Sequence, residues 1–251
     1  MDSKLDIEFL INTCAIAEKS LLTKDLDTVN IYFHNSLIRI NRIMSSIYTL
    51  NEDPIKNKYA IYILLRPLVL DCLYFNYLLN IELRGNENNK NLSLLDEVAF
   101  DCLTDGVKDY HKNVVKNIKN LDKIKQEEIE RNFKKKFDFA IECIPNNFSS
   151  IQFYKINPEF ANMSAKSIES KFKSENEYTE MMLGIYNLFS KYDHNTGVGY
   201  FDYLNAKDFI KPIENCIRLL RKGYMNLLYI IDLQNDLIDI RDIYMTELKM
   251  K

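Results

Sequence analysis

Apolar residues recur at three- and four-residue spacing over most of the chain, and that recurrence predicts long amphipathic helices. Leu5 to Thr23 sets Leu5, Phe9, Ile16 and Leu22 among polar residues. Leu26 to Leu50 turns Ile31, Leu37, Ile38, Ile40 and Ile47 inward, so the two segments are expected to form an antiparallel helical hairpin. Asp53 ahead of Pro54 reads as a helix start, a cap followed by a proline whose missing N–H costs nothing in the first turn. Arg84 followed by Gly85 reads as its stop. Between them lies the most apolar helix of the chain. Pro67 in its interior removes a backbone hydrogen bond and predicts a kink over Tyr62 to Arg66.

Ser93, with Asp96 and Glu97 following, resembles a capping arrangement and opens a helix through at least Asn117. Lys123 to Ile144 continues the helical pattern up to Pro145. Pro145 to Met163 is the longest irregular segment, rich in Asn and Ser turn chemistry but pinned by Phe148, Phe153, Tyr154 and Phe160. A short helix is expected near Ser164 to Lys173, a longer one over Asn176 to Tyr192, and a final long one from Asn205 towards Leu248, in which Pro212 either kinks the helix or marks its start. The fold class is all-α: a multi-helix bundle of about eight helices with a kinked central helix and a long C-terminal helix. It is read as one domain over residues 1–251, with a possible sub-boundary in the loop 145–163.

Composition supports this picture and narrows the function. Six glycines and five prolines in 251 residues suit long helices better than turn-rich sheets. A net charge of −3 lacks the global basic field of a strong nucleic-acid binder. The five cysteines, Cys14, Cys72, Cys102, Cys143 and Cys216, are widely separated with no CxxC or Cys/His pairing, and read as reduced, buried small hydrophobes of a cytoplasmic protein. Asp2, Asp6 and Glu8 stand where a signal peptide needs a basic start, and no apolar run approaches the ~18 residues of a membrane span. The expectation is a protein neither secreted nor membrane-spanning.

Candidate chemistry concentrates in the segment SKYDHNTGVGYF, Ser190 to Phe201, which holds one of three histidines and two of six glycines. Its expected partners are Arg66 and Asp71, charges set among Leu, Val, Ile and Tyr on the central helix that must be paired if buried. One reading joins Arg66, Asp71, Ser190, Tyr192 and His194 in a polar pocket. The other makes them a buried ion pair and a helix-end histidine that only orient the fold.

Other constellations carry less. Glu97, Asp101, Asp105 and Asp109 step by four along one helix, but Lys108 and Lys112 lie close enough to neutralise them, so they read as a solvated face. No Glu-x-x-His pair joins His111 to a di-iron site. Asp232, Asp236, Asp239 and Asp242 lack the DDxxD cluster of isoprenoid synthases. Lys108, Lys112, Lys116, Lys119 and Lys123, with Arg131 and Lys134 to Lys136, make a basic row with poor aromatic interleaving, again a solvated face. There is no Gly-x-Ser-x-Gly elbow, and Gly197-Val198-Gly199 is not a dinucleotide fingerprint.

The layout LLRPLVLDCLYFNYLL followed by YNLFSKYDH resembles bacterial all-helical proteins that carry an Arg and then an acidic residue on a central helix and a Ser-x-x-x-His near the end of a later one. The resemblance maps onto Arg66, Asp71, Ser190 and His194. Similar helical domains shade into the HEPN superfamily of phage-defence and toxin systems, whose members often cleave RNA without a metal. That superfamily's usual Arg, four to six residues before a His on one helix, precedes none of His34, His111 and His194, which counts against an active ribonuclease of that type.

The sequence therefore points to a cytoplasmic helical binding or regulatory protein of a bacterial defence or stress system, recognising a phosphate-bearing or nucleotide-like ligand. Arg66 would hold the anion, Asp71 would orient Arg66 or a tyrosine, and His194 would donate a hydrogen bond or act as a general acid/base. No cofactor, metal or membrane partner is expected, and a homodimer is an expected assembly. Two alternatives stay open: a metal-independent HEPN-like ribonuclease using His194 and Arg66, and a purely structural protein–protein interaction module.

Overall fold

The computed structural model of the chain describes residues 3–24, 27–86, 92–145, 147–157, 177–193 and 210–249. Among them are eight α-helices: α1 (Ser3–Leu21), α2 (Thr28–Leu50), α3 (Pro54–Asn86), α4 (Leu92–Ile118), α5 (Lys123–Lys136), α6 (Glu177–Asp193), α7 (Ile210–Asn235) and α8 (Ile238–Lys249). The all-α class expected from the periodicity is what the protein adopts. The chain divides into two compact units, Met1–Leu92 with Ser164–Lys251, and Ser93–Met163. The loop 145–163 thus lies inside the second unit, and the break after Leu92 has no counterpart in the sequence reading.

In the first unit, α1 buries Ile7, Leu10, Cys14, Ala17 and Leu21, a stripe at alternating three- and four-residue steps. Leu5, Ile16 and Leu22 are its outer flank, 64%, 45% and 52% exposed. The helix has two apolar stripes, and the one centred on smaller residues lets α2 and α7 approach. On α2, Leu37, Ile40 and Ile47 are buried as expected, joined by Phe33 and Met44, while Ile31 and Ile38 are half-buried. Asp27 caps α2 by accepting from the Asn30 N–H at 2.7 Å, and Asp53 caps α3 by accepting from the Lys56 N–H at 3.2 Å.

The helix α3 is the core element, running as one helix with Pro67 inside it. Its residues 72–76 are buried on every side, by α2, α6 and α7. One stretch, Pro54–Leu79, is long and apolar enough to cross a membrane, with mean hydropathy 1.3, but 61% of that window is buried inside the protein, as in a core helix. The closest approach is at Gly223 of α7, where a β-carbon would meet the Tyr178 hydroxyl and come within 2.7 Å of the Cys72 sulfur. Glycine is required there by space alone.

The long C-terminal helix of the sequence reading is in fact two. Pro212 is the third residue of α7 as described; the expected opening at Asn205 lies outside the described residues. After Asn235 the chain turns at Asp236, whose φ of 52° is left-handed. Asp232, 3% exposed, fixes the elbow: its carboxylate accepts from the Leu237 N–H at 2.9 Å, from Arg241 Nε and Nη2 at 2.9 Å each, and from the Tyr244 hydroxyl at 2.7 Å.

The second unit is a hairpin of α4 and α5 with a two-stranded antiparallel ribbon, β1 (Ile141–Cys143) and β2 (Gln152–Phe153). The helix expected to reach Ile144 stops at Lys136. Phe133, Phe137 and Phe148 pack ring to ring there, and Ile141 and Cys143 pair with Phe153 and Gln152 instead of extending the helix. Val107, Val114, Ile118, Phe133, Ile141, Phe148 and Ile151 form the core. The helix expected over Ser164 to Lys173 lies outside the described residues.

Candidate functional site

The central helix places Lys58, Tyr62 and Arg66 four residues apart, so the three side chains follow one stripe. The helix α6 runs antiparallel to α3 and supplies facing rungs. Tyr62 stacks on Phe189 with centroids 4.8 Å apart and planes 25° apart. The Arg66 guanidinium carbon lies 5.3 Å from the Tyr186 ring centroid, with Nη2 donating to the Tyr186 hydroxyl at 3.4 Å. Further along, Asn76 Nδ2 donates to Thr179 Oγ1 at 3.0 Å, and Asn226 Nδ2 to Asn76 Oδ1 at 3.4 Å. The Tyr186 ring and hydroxyl thus hold the guanidinium on the α6 side of α3.

Of the residues expected to share a pocket, the structure brings Arg66 to the rung next to Ser190. The Ser190 hydroxyl is used locally, donating to the Tyr186 carbonyl one turn back at 2.9 Å. Asp71 is turned elsewhere. Its Oδ2 lies 3.3 Å from Arg39 Nε of α2, and burial pushes its carboxyl up to about 6 even with that arginine drawing it down. Five residues of helix separate Asp71 from Arg66 by more than a full turn, so the acid orients α2 and not Arg66. Tyr192 is within α6, but its side chain is outside the described residues, as is His194 altogether.

Lys58 is the residue the sequence reading missed. It is 5% exposed, a cation buried with Tyr62 and Arg66 beyond it on the same stripe. The four-residue spacing of two cations around an aromatic on an apolar helix was the available signal. Along this stripe α3 carries Lys58, whose Nζ lies 5.0 Å from the Tyr59 ring centroid, then Tyr62 and Arg66, a combination of cations and aromatic rings of the kind that takes anions and planar groups.

The remaining candidates have structural explanations. His111 is 6% exposed, its Nε2 at 2.9 Å from the Phe148 carbonyl and its ring caged by Phe133, Phe148 and Phe153. Asp101, read as solvated, is 3% exposed and accepts from the Asn157 N–H at 2.8 Å, holding the chain after β2 against α4; burial raises its carboxyl. Asp232 of the C-terminal aspartates is equally occupied, in the elbow. Burial opposes its ionisation, but Arg241, Tyr244 and the Leu237 N–H together hold it below the usual carboxylate range. In the basic row, Lys112 pairs with Asp109 at 2.8 Å, Lys125 with Asp122 at 3.3 Å and Lys123 with Glu127 at 3.9 Å.

Cys14, Cys72 and Cys216 are buried, as the sequence suggested, but Cys102 is half-buried and Cys143 exposed on β1. Burial pushes Cys14 up to about 12 and Cys72 and Cys216 well above an ordinary thiol, so the core thiols stay protonated and unreactive. Among the described residues no group of three His, Cys, Asp or Glu side chains is placed to hold a metal ion.

The fold and site define an all-helical protein with a central helix carrying a cationic, aromatic stripe. No family model matches the chain, and no curated protein or solved structure matches it.

Proposed function

We propose that the protein is a helical binding or regulatory protein that recognises a phosphate-bearing, nucleotide-like ligand at the Lys58–Tyr62–Arg66 stripe. The observation that carries the reading is the Arg66 guanidinium held at the Tyr186 ring and hydroxyl, with Lys58 two turns away on the same side of α3. A bidentate donor whose orientation is already set loses little entropy when it takes a phosphate. The neighbouring tyrosine rings offer surfaces for a base. Reduced cysteines in the core suit the cytoplasm of a bacterial cell, and a ligand-responsive helical protein suits a defence or stress system.

The test is thermal stabilisation by inorganic phosphate, pyrophosphate and a panel of mono-, di- and triphosphate nucleotides. A ligand present at about a hundred times its Kd stabilises the fold by about 2.7 kcal/mol, which raises Tm by roughly 5–10 °C for a chain of this size. The shift is expected to vanish in Arg66→Ala and to survive in Asp71→Asn, whose carboxylate faces Arg39. No shift with any of these compounds, or an equal shift in Arg66→Ala, removes the reading.

A further inference from the structure

A groove of about 440 Å³ between the end of α1 and the start of α8 takes no part in the reading above. Its floor is Leu237 and Ser20, 7% and 8% exposed, and the Ser20 hydroxyl donates to Asp239 Oδ2 at 3.3 Å, tying the two walls together. Ile16 and Ile238 stand at its mouth, 45% and 67% exposed, so this apolar surface remains in water in the single chain. Charge is segregated across it. Lys19 and Lys24 line the α1 wall, neither with an ion-pair partner among the described residues, while Asp239, and Asp236 in its ion pair with Arg241, line the α8 wall.

We propose that this groove is the face at which two copies of the chain meet about a two-fold axis. A two-fold axis running along the groove lays the patch on itself after half a turn, so that the lysine wall of one copy falls on the aspartate wall of its partner, with the isoleucines of both copies between them. A patch of one sign would repel itself in that arrangement; a patch split into two signs attracts itself. A second copy is the occupant because its charge pattern answers both walls at once. A uniformly acidic or basic partner would match one wall and oppose the other.

Sedimentation equilibrium of the full chain is expected to show a dimer whose dissociation constant rises tenfold or more in Ile238→Asp, with an unchanged helical circular dichroism spectrum because Ile238 is exposed. Lys19→Glu/Lys24→Glu and Asp239→Lys are each expected to associate more weakly than the wild type. An equimolar mixture of the two is expected to regain the dimer, since the new glutamates of one variant face the new lysine of the other. A wild-type chain that stays monomeric at all concentrations overturns the proposal. So does a dimer untouched by Ile238→Asp, or a mixture no more associated than either variant alone.

Discussion

The two units hold themselves together by different means. In the first, polar groups at the core bridge elements distant in sequence, Asp6 of α1 to Arg221 of α7 and Asn76 of α3 to Thr179 of α6, while Arg39 of α2, half exposed, reaches Asp71 of α3 from the surface. In the second, the centre is a cluster of rings around His111, and its lysine ion pairs are formed within three or four residues on exposed helix. A buried polar bond constrains which elements meet, because leaving either partner alone costs its full desolvation. Local surface pairs constrain almost nothing. The first unit is therefore specified largely by side-chain pairs between its helices, and the second by its rings together with buried side-chain-to-backbone bonds, His111 to the Phe148 carbonyl and the Asn157 N–H to Asp101.

The sharpest way to break the second unit is Phe133→Ala, which empties the centre of that cluster and is expected to cost about 3–5 kcal/mol by urea denaturation. A loss under 1 kcal/mol would mean that the rings do not form its core. In the first unit, Asp232→Ala strips Arg241, Tyr244 and the Leu237 N–H of their common acceptor. It is expected to cost about 2–4 kcal/mol and to loosen α8 in hydrogen exchange, a little below the full buried-pair value because Arg241 is 43% exposed.

Asp71 gives the comparison a pH dependence. Its folded carboxyl is raised to about 6 from an ordinary 3.8, so the folded protein holds the proton more tightly than the unfolded chain. This group then makes the protein more stable at pH 5 than at pH 7.5, the gain disappearing as pH rises through 6. With a fifth of the side chain exposed, the gain is about 1–2 kcal/mol. Asp71→Asn is expected to be more stable than wild type at pH 7.5 and to lose that part of the pH dependence; equal pH slopes for the two proteins would refute the assignment. The smallest effect is expected for Lys112→Ala, whose partner Asp109 is 63% exposed. A change above 0.5 kcal/mol there would contradict the view that such pairs specify little.

Much of the architecture was legible because the signals are short-range. Asp53 and Pro54 start α3 where their chemistry indicates. The break at Asp236 was not read, although Asn235 and Asp236 tolerate left-handed backbone, because the periodic apolar pattern resumes directly in α8. On the central helix, Asp71 was expected to orient Arg66 or a tyrosine, whereas its carboxylate lies 3.3 Å from Arg39, and the burial of Lys58 was not read from the sequence. Helical spacing shows which residues share a stripe; it does not show which helix the stripe faces.

The sequence by itself determined that this chain is helical and where several helices begin, since periodicity and capping act within a few residues. Tertiary structure decided which of two stripes on α1 enters the core, that Asp71 answers Arg39, that Asp232 bends the chain into α8, and that Arg66 meets the ring and hydroxyl of Tyr186. Each of those outcomes is chosen by packing or desolvation against groups that only the folded chain brings near.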